Sequence, residues 1–314
     1  MKKRKEKIPQ ERKLFSKKQL IIISFALVAM IVLGFVISSF LLQTQEVEFS
    51  LKAAIIDQLG KEFPNSDFNK TGVVASILEG AGFNVSYHKS KTVNVNFYKG
   101  LAKHNYGLII LRSHSATREG ETIVDFFTSE EFSLYKHVSE RDNGWLTKGY
   151  YEWEPEKSYF AITPKFIEDL EGCFPKSIVV AMGCNSLNET CTEMAEAFIK
   201  RGAEAYIGWT GLVHPSHTDN ETVRLLKQFL VENKTLGGSI DTLKRDPLYG
   251  GRMEYYPLEA GNITISTLIA EVKGSSHQQS AIALFEPILN VCVYKVVPRN
   301  KRRTLNLAYV KLAC

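Results

Sequence analysis

Leu108-Ile-Ile-Leu-Arg-Ser-His114-Ser115 and Ile178-Val-Val-Ala-Met-Gly-Cys184-Asn-Ser186 share one form: an aliphatic run that stops on a side chain able to do chemistry. Short continuous apolar runs suit strands buried on both faces of a parallel sheet. In such a sheet the C-terminal strand ends make the ligand-binding edge. Neighbouring strands lie about 4.8 Å apart, so two adjacent strands would present His114 and Cys184 side by side. An imidazole next to a thiol lowers its pKa and can later protonate a leaving amine, so the pair reads as nucleophile and base. The backbone N–H groups of Ser115 and Cys184 are the expected oxyanion donors, and Gly183 is expected to let a substrate backbone approach. Each residue alone has a plainer reading, Cys184 as a small buried hydrophobe and His114 as a polar strand terminator. Their order and their separation by one strand–helix unit favour the chemical one.

Outward from these runs the pattern alternates. Residues 47–57, 83–88, 106–112, 178–182 and 202–209 read as strands, and 71–81, 97–103, 193–200 and 219–229 as helices. Thr163-Pro164 starts another helix, with threonine as cap and proline at the first helical position, ending near Gly172. This alternation predicts an α/β fold with a mostly parallel sheet and helices on both faces. Residues 117–160 break the rhythm; they are rich in Tyr, Trp and acidic residues, carry a turn at Asp142-Asn-Gly144, and read as a hairpin or loop insertion beside the reactive edge. After Arg245 the pattern weakens into a C-terminal extension, 246–314, in which 263–272 reads as strand or helix and 281–297 as strands.

At the two reactive segments the chain resembles the caspase-like cysteine peptidases, closest to the separase, CHAT and gingipain-like branch. Those proteins carry an apolar strand ending in His, usually followed by Gly, and a second ending in Gly-Cys or Ala-Cys; Met182-Gly-Cys184-Asn-Ser186 looks much like the separase nucleophile segment. The resemblance spans 47–245. It implies a three-layer α-β-α sandwich and a cysteine endopeptidase that works on a peptide or protein without a metal or organic cofactor. It also implies a His114/Cys184 dyad, with Asn185 and Trp209 beside the substrate. Ser115 stands where the family usually has glycine, which bears on the oxyanion geometry. In arginine-specific branches an acid pairs with the substrate guanidinium, a bidentate contact; Asp219 is at the matching place, which implies cleavage after Arg or Lys. Asp219 reads equally as the N-cap of a helix starting at Glu221. A non-catalytic relative kept for binding at the cell surface, or an envelope structural protein, is the alternative.

Residues 20–42 contain no charge, and a helix of that length, at about 1.5 Å per residue, crosses a hydrocarbon core of roughly 30 Å. The basic tail before it, 1–19, predicts a cytoplasmic N-terminus and an exported remainder held by an uncleaved single-pass anchor. Six Asn-x-Ser/Thr acceptors, Asn69, Asn84, Asn188, Asn220, Asn233 and Asn262, fit export. Asn188 lies so near Cys184 that its acceptor is expected to stay unused. The net charge of +5 is the sum of +7 over residues 1–18, +6 over 295–314 and −8 between them. The basic character therefore belongs to the two ends and gives no reason to expect nucleic-acid binding by the folded part.

Five cysteines, 173, 184, 191, 292 and 314, leave at least one without an intramolecular partner in an oxidising compartment. A Cys173–Cys191 disulfide flanking Cys184 is one expectation. A zinc site from Cys173, Cys184 and Cys191 is not expected, because their spacings are far wider than the usual two to four residues. His214 and His217 read as loop histidines at the same sheet edge, with a pocket-lining role as the alternative. Lys301-Arg-Arg303 reads as a solvated segment, or as a processing site. The absence of Walker, dinucleotide and Gly-x-Ser-x-Gly fingerprints counts against ATPases, oxidoreductases and serine-elbow hydrolases.

Overall fold

The computed structural model describes residues 48–270, the strand 309–312 and part of a helix between 21 and 34. Among the described residues no helix is long and apolar enough to cross a membrane. The basic tail 1–19, most of the expected span 20–42, the expected strands at 281–297 and the Lys301-Arg-Arg303 cluster lie outside the described residues.

The strands, in chain order, are β1 (Lys52–Asp57), β2 (Asn84–Lys89), β3 (Leu108–Arg112), β4 (Ser115–Thr117), β5 (Val124–Glu131), β6 (Leu146–Tyr151), β7 (Glu154–Ile162), β8 (Ile178–Ala181), β9 (Ala205–Trp209), β10 (Met253–Tyr256) and β11 (Tyr309–Leu312). Six of them form the main sheet, in the order β10-β9-β8-β3-β1-β2. β1, β2, β3, β8 and β9 are parallel, and β10 closes one edge antiparallel to β9. β3, β8 and β9 are buried at every position, which is why their sequences are unbroken apolar runs.

Successive residues of each strand feed opposite cores. Ala53, Ile55, Ile110 and Val180 pack with Val74 and Leu78 of helix Val73–Gly80 and with Leu225 and Leu226 of helix Pro215–Leu226. Ala54, Ile56, Ile109 and Val179 pack instead with Tyr98 of helix Val95–Gly100 and with Met194 and Phe198 of helix Glu193–Lys200. Helices therefore cover both faces, and the expected α/β class with a mostly parallel sheet is observed.

Two stretches differ from the sequence reading. Residues 117–160 are more than a hairpin or loop: β4, β5, β7 and β6 make an antiparallel sheet, with β11 parallel to β6 at its edge. Their apolar positions are interrupted by solvent-facing acids and lysines, as in Glu154–Lys157, which masks the strand period. The main sheet also continues past Arg245, because β10 at 253–256 pairs with β9. The expected turn at Asp142-Asn-Gly144 is present, with Gly144 at φ 73° following the short helix Val138–Asp142. Thr163 caps its helix by accepting from Phe166 N at 3.2 Å, but that helix ends at Glu168.

Candidate active site

β3 and β8 are hydrogen-bonded neighbours, in register from Leu108–Ile178 to Leu111–Ala181. Met182 N donates to Leu111 O at 2.9 Å and prolongs the ladder to the strand ends. The His114 and Cys184 segments then meet directly, with Ser115 Oγ donating to Cys184 O at 2.6 Å. A Cβ added at Gly183 would sit 2.2 Å from Ser115 Oγ, 2.6 Å from Ser113 O and 2.9 Å from Ser115 N. The glycine is thus required by the closeness of the two strand ends, and the expected approach of a substrate backbone is not what demands it. Ser115 and Phe126 are opposed, with Phe127 N donating to His114 O at 2.9 Å, so this is a non-hydrogen-bonded pair and the Ser115 N–H faces away from β5.

His114 is 6% exposed and is oriented from several directions. Its backbone N–H donates to Gln58 Oε1 at 3.0 Å, and its Nε2 lies 3.0 Å from Glu62 Oε2. Gln58 Nε2 in turn donates to Tyr151 OH at 3.2 Å. The imidazole centroid is 4.8 Å from Tyr151, 5.7 Å from Trp153 and 5.9 Å from Phe63. Trp153 stacks on Tyr151 at 5.0 Å and 2° and is 47% exposed, so this aromatic wall opens to solvent. Burial raises the Tyr151 phenol above its ordinary value and keeps it neutral.

Cys184 is also 6% exposed, and its sulfur is 3.5 Å from Val213 N and 3.6 Å from Val213 O. The Val213–His214 segment is fixed from below by Asp246, whose carboxylate accepts from His214 N, Leu248 N and Tyr249 N, each at 2.8 Å. Burial works to raise the Asp246 carboxyl, but these backbone donors outweigh it and hold the group below the ordinary carboxylate value. The turn after the cysteine depends on Asn185, a left-handed residue at φ 55° whose N–H donates to Gly211 O at 2.9 Å. Asn185 is half-buried at the reactive edge.

Asp219 has a different employment from the expected ones. Arg112, fully buried at the end of β3, donates from Nε to Asp219 Oδ1 at 2.7 Å and from a terminal nitrogen to Asp219 Oδ2 at 2.8 Å. Its other terminal nitrogen donates to Asp57 Oδ1 at 2.7 Å, and Asn65 Nδ2 donates to Asp219 Oδ2 at 2.8 Å. The bidentate edge expected to hold a substrate guanidinium is occupied by the chain's own guanidinium. Burial pushes the Asp57 carboxyl up from its ordinary value, more than Arg112 pulls it down. The N-cap reading of Asp219 fails too: the helix begins at Pro215, with His214 as cap and its Nδ1 3.3 Å from Ser216 N. A proline at the first position pre-sets the helical φ, which moves the start upstream of the expected 219.

Trp209 is fully buried, its Nε1 donating to Thr218 Oγ1 at 2.8 Å, and so is a core residue with no face towards a substrate. His217 lies within the same helix, its Nε2 3.0 Å from Lys244 O. Cys173 is disulfide-bonded, while Cys184 and Cys191 are thiols, so the expected Cys173–Cys191 bridge is not formed. Among the described residues no group of three His, Cys, Asp or Glu side chains is placed to hold a metal. Asn84, Asn220, Asn233 and Asn262 are exposed, and Asn69 and Asn188 half-buried. Asn188 Nδ2, the atom that would carry a glycan, donates to Thr210 O at 2.8 Å.

Sequence reasoning missed Gln58, Glu62, Tyr151 and Trp153. The first pair follows β1, about fifty residues before His114, and the second lies in the strands read as an insertion; no local pattern links them to the histidine. No known protein family matches the sequence, and no curated protein does.

Proposed function

We propose that this chain is a caspase-like cysteine endopeptidase, anchored by one N-terminal helix with its folded part outside the cytoplasm. The observation that carries the reading is that two adjacent parallel strands, β3 and β8, are followed within three residues by His114 and Cys184. In the reaction the thiol proton passes to His114, and the sulfur attacks the scissile carbonyl carbon. The resulting oxyanion is met by backbone N–H groups, for which Ser115 and Cys184 are the candidates. The carbon–nitrogen bond then breaks, the amine leaves with the proton held by His114, and water hydrolyses the thioester. No cofactor is needed for these steps. The Arg112–Asp219 pair argues against the Arg or Lys preference that the resemblance implied, so the proposal carries no P1 preference. The anchor rests on the uncharged stretch 20–42 and on the exposed apolar side chains of Ile21, Ile22, Leu27, Val28 and Met30.

A second reading, a caspase-like cell-surface module that binds without cleaving, is favoured by the engagement of the Cys184 sulfur with the Val213 backbone. The two separate on a peptide panel with Arg, Lys, Asp and Asn at P1, given to full-length wild type and Cys184→Ala. Turnover lost in the variant supports the peptidase. Absence of turnover from a wild type with folded circular dichroism supports the binding module.

A further inference from the structure

We propose that Glu62 is the positioning residue of His114, fixing which of its ring nitrogens is basic; as a catalytic statement this rests on the peptidase reading above. Glu62 Oε2 lies 3.0 Å from His114 Nε2. An ionised carboxylate only accepts hydrogen bonds, so a neutral imidazole in this contact must carry its proton on Nε2. Nδ1 is then the nitrogen left to take a proton, which is the requirement for a general base.

Other contacts remove the ring's freedom to evade this choice. The His114 backbone is held by Gln58 at 3.0 Å, and the ring is packed by Tyr151, Phe63 and Trp153. Gln58 and Glu62 belong to one segment following β1, which also makes a 3-10 turn at Leu59–Lys61. That segment is anchored at its start by Gln58 N donating to Arg112 O at 2.9 Å and at its end by a terminal nitrogen of Arg112 donating to Phe63 O at 2.8 Å. The carboxylate is therefore presented to the imidazole by a backbone tied to the same strand that delivers the histidine. The Glu62 side chain is 31% exposed, so its removal leaves no buried hole and need not disturb folding.

The test uses the full-length chain labelled with nitrogen-15 at its seven histidines, with His114 assigned by loss of its signals in His114→Asn. In wild type at a pH where His114 is neutral, the nitrogen shifts should report a single Nε2–H form; in Glu62→Ala that preference should disappear. In parallel, kcat of Glu62→Ala should fall about 100-fold, the lower end of what general acid–base catalysis contributes, with KM unchanged. An Nδ1–H form in wild type, or identical shifts in both proteins, overturns the role of Glu62. The expected tautomer change in a protein without turnover upholds the positioning and tells against the peptidase reading instead.

Discussion

Ser115 Oγ donates to the carbonyl oxygen of Cys184 at 2.6 Å, and Ser115 is fully buried. The residue after the histidine thus ties the segments that follow β3 and β8 together, which a glycine at this position could not do. Ser115→Ala leaves the Cys184 carbonyl without this donor and should cost about 1–3 kcal/mol. Denaturant unfolding of the full-length variant measures this; an unchanged midpoint would mean that the bond contributes nothing.

Asp219→Ala strands a buried guanidinium. Removing one partner of a buried ion pair typically costs about 3–5 kcal/mol, and Asp57 alone cannot restore the bidentate contact. We expect a lowered thermal midpoint or loss of soluble protein. A stable variant that specifically loses turnover of Arg-P1 peptides would instead reinstate the substrate role that the resemblance implied.

β3 and β8 were readable because they are buried on both faces, so their apolar runs survive without interruption as far as Leu111 and Met182. β10 escaped because an antiparallel edge strand, Met-Glu-Tyr-Tyr, is half-buried and is followed at once by Pro257. The second sheet escaped because charged positions within its strands, such as Lys148 in β6 and Glu154, Glu156 and Lys157 in β7, mask their period, even though β6 and β7 form a tight hairpin with Tyr151 opposite Glu154. His114 and Cys184 were legible as strand ends. Glu62 and Trp153 were not, since their approach to His114 depends on tertiary packing alone, and Asp219 was misread because its true partner, Arg112, lies 107 residues away.

Acid should weaken the fold through His88. Burial, with the nearby His104 adding to it, holds the His88 imidazole below its ordinary value, and its Nε2 is 3.1 Å from Tyr106 OH. As pH falls through about 6.5 the unfolded chain takes up the proton first, so stability drops from there until folded His88 protonates. Unfolding at pH 7.5 and 5.5 should show a larger loss for wild type than for His88→Phe. Equal losses would remove His88 as the cause.

Glycan mapping tests the surface assignments, given export. Peptide mass spectrometry of protein made in a glycosylating host should find sugar at the exposed acceptors Asn84, Asn220 or Asn262 and none at Asn188, whose amide is held by Thr210 O at 2.8 Å. Occupied Asn188 would require that turn to open beside Cys184.

The central claim is that Cys184 is a thiol activated by His114, and Cys191 supplies an internal reference because it is an equally buried thiol of the same chain. The most direct measurement is the rate of iodoacetamide alkylation at each cysteine at pH 6, read by mass spectrometry on folded full-length protein. Thiolate character governs that rate, since an unperturbed thiol of pKa about 8.5 is almost wholly protonated at this pH. The account predicts that Cys184 reacts much faster than Cys191 and that His114→Ala abolishes the difference. Equal, slow modification of both cysteines in wild type would contradict it.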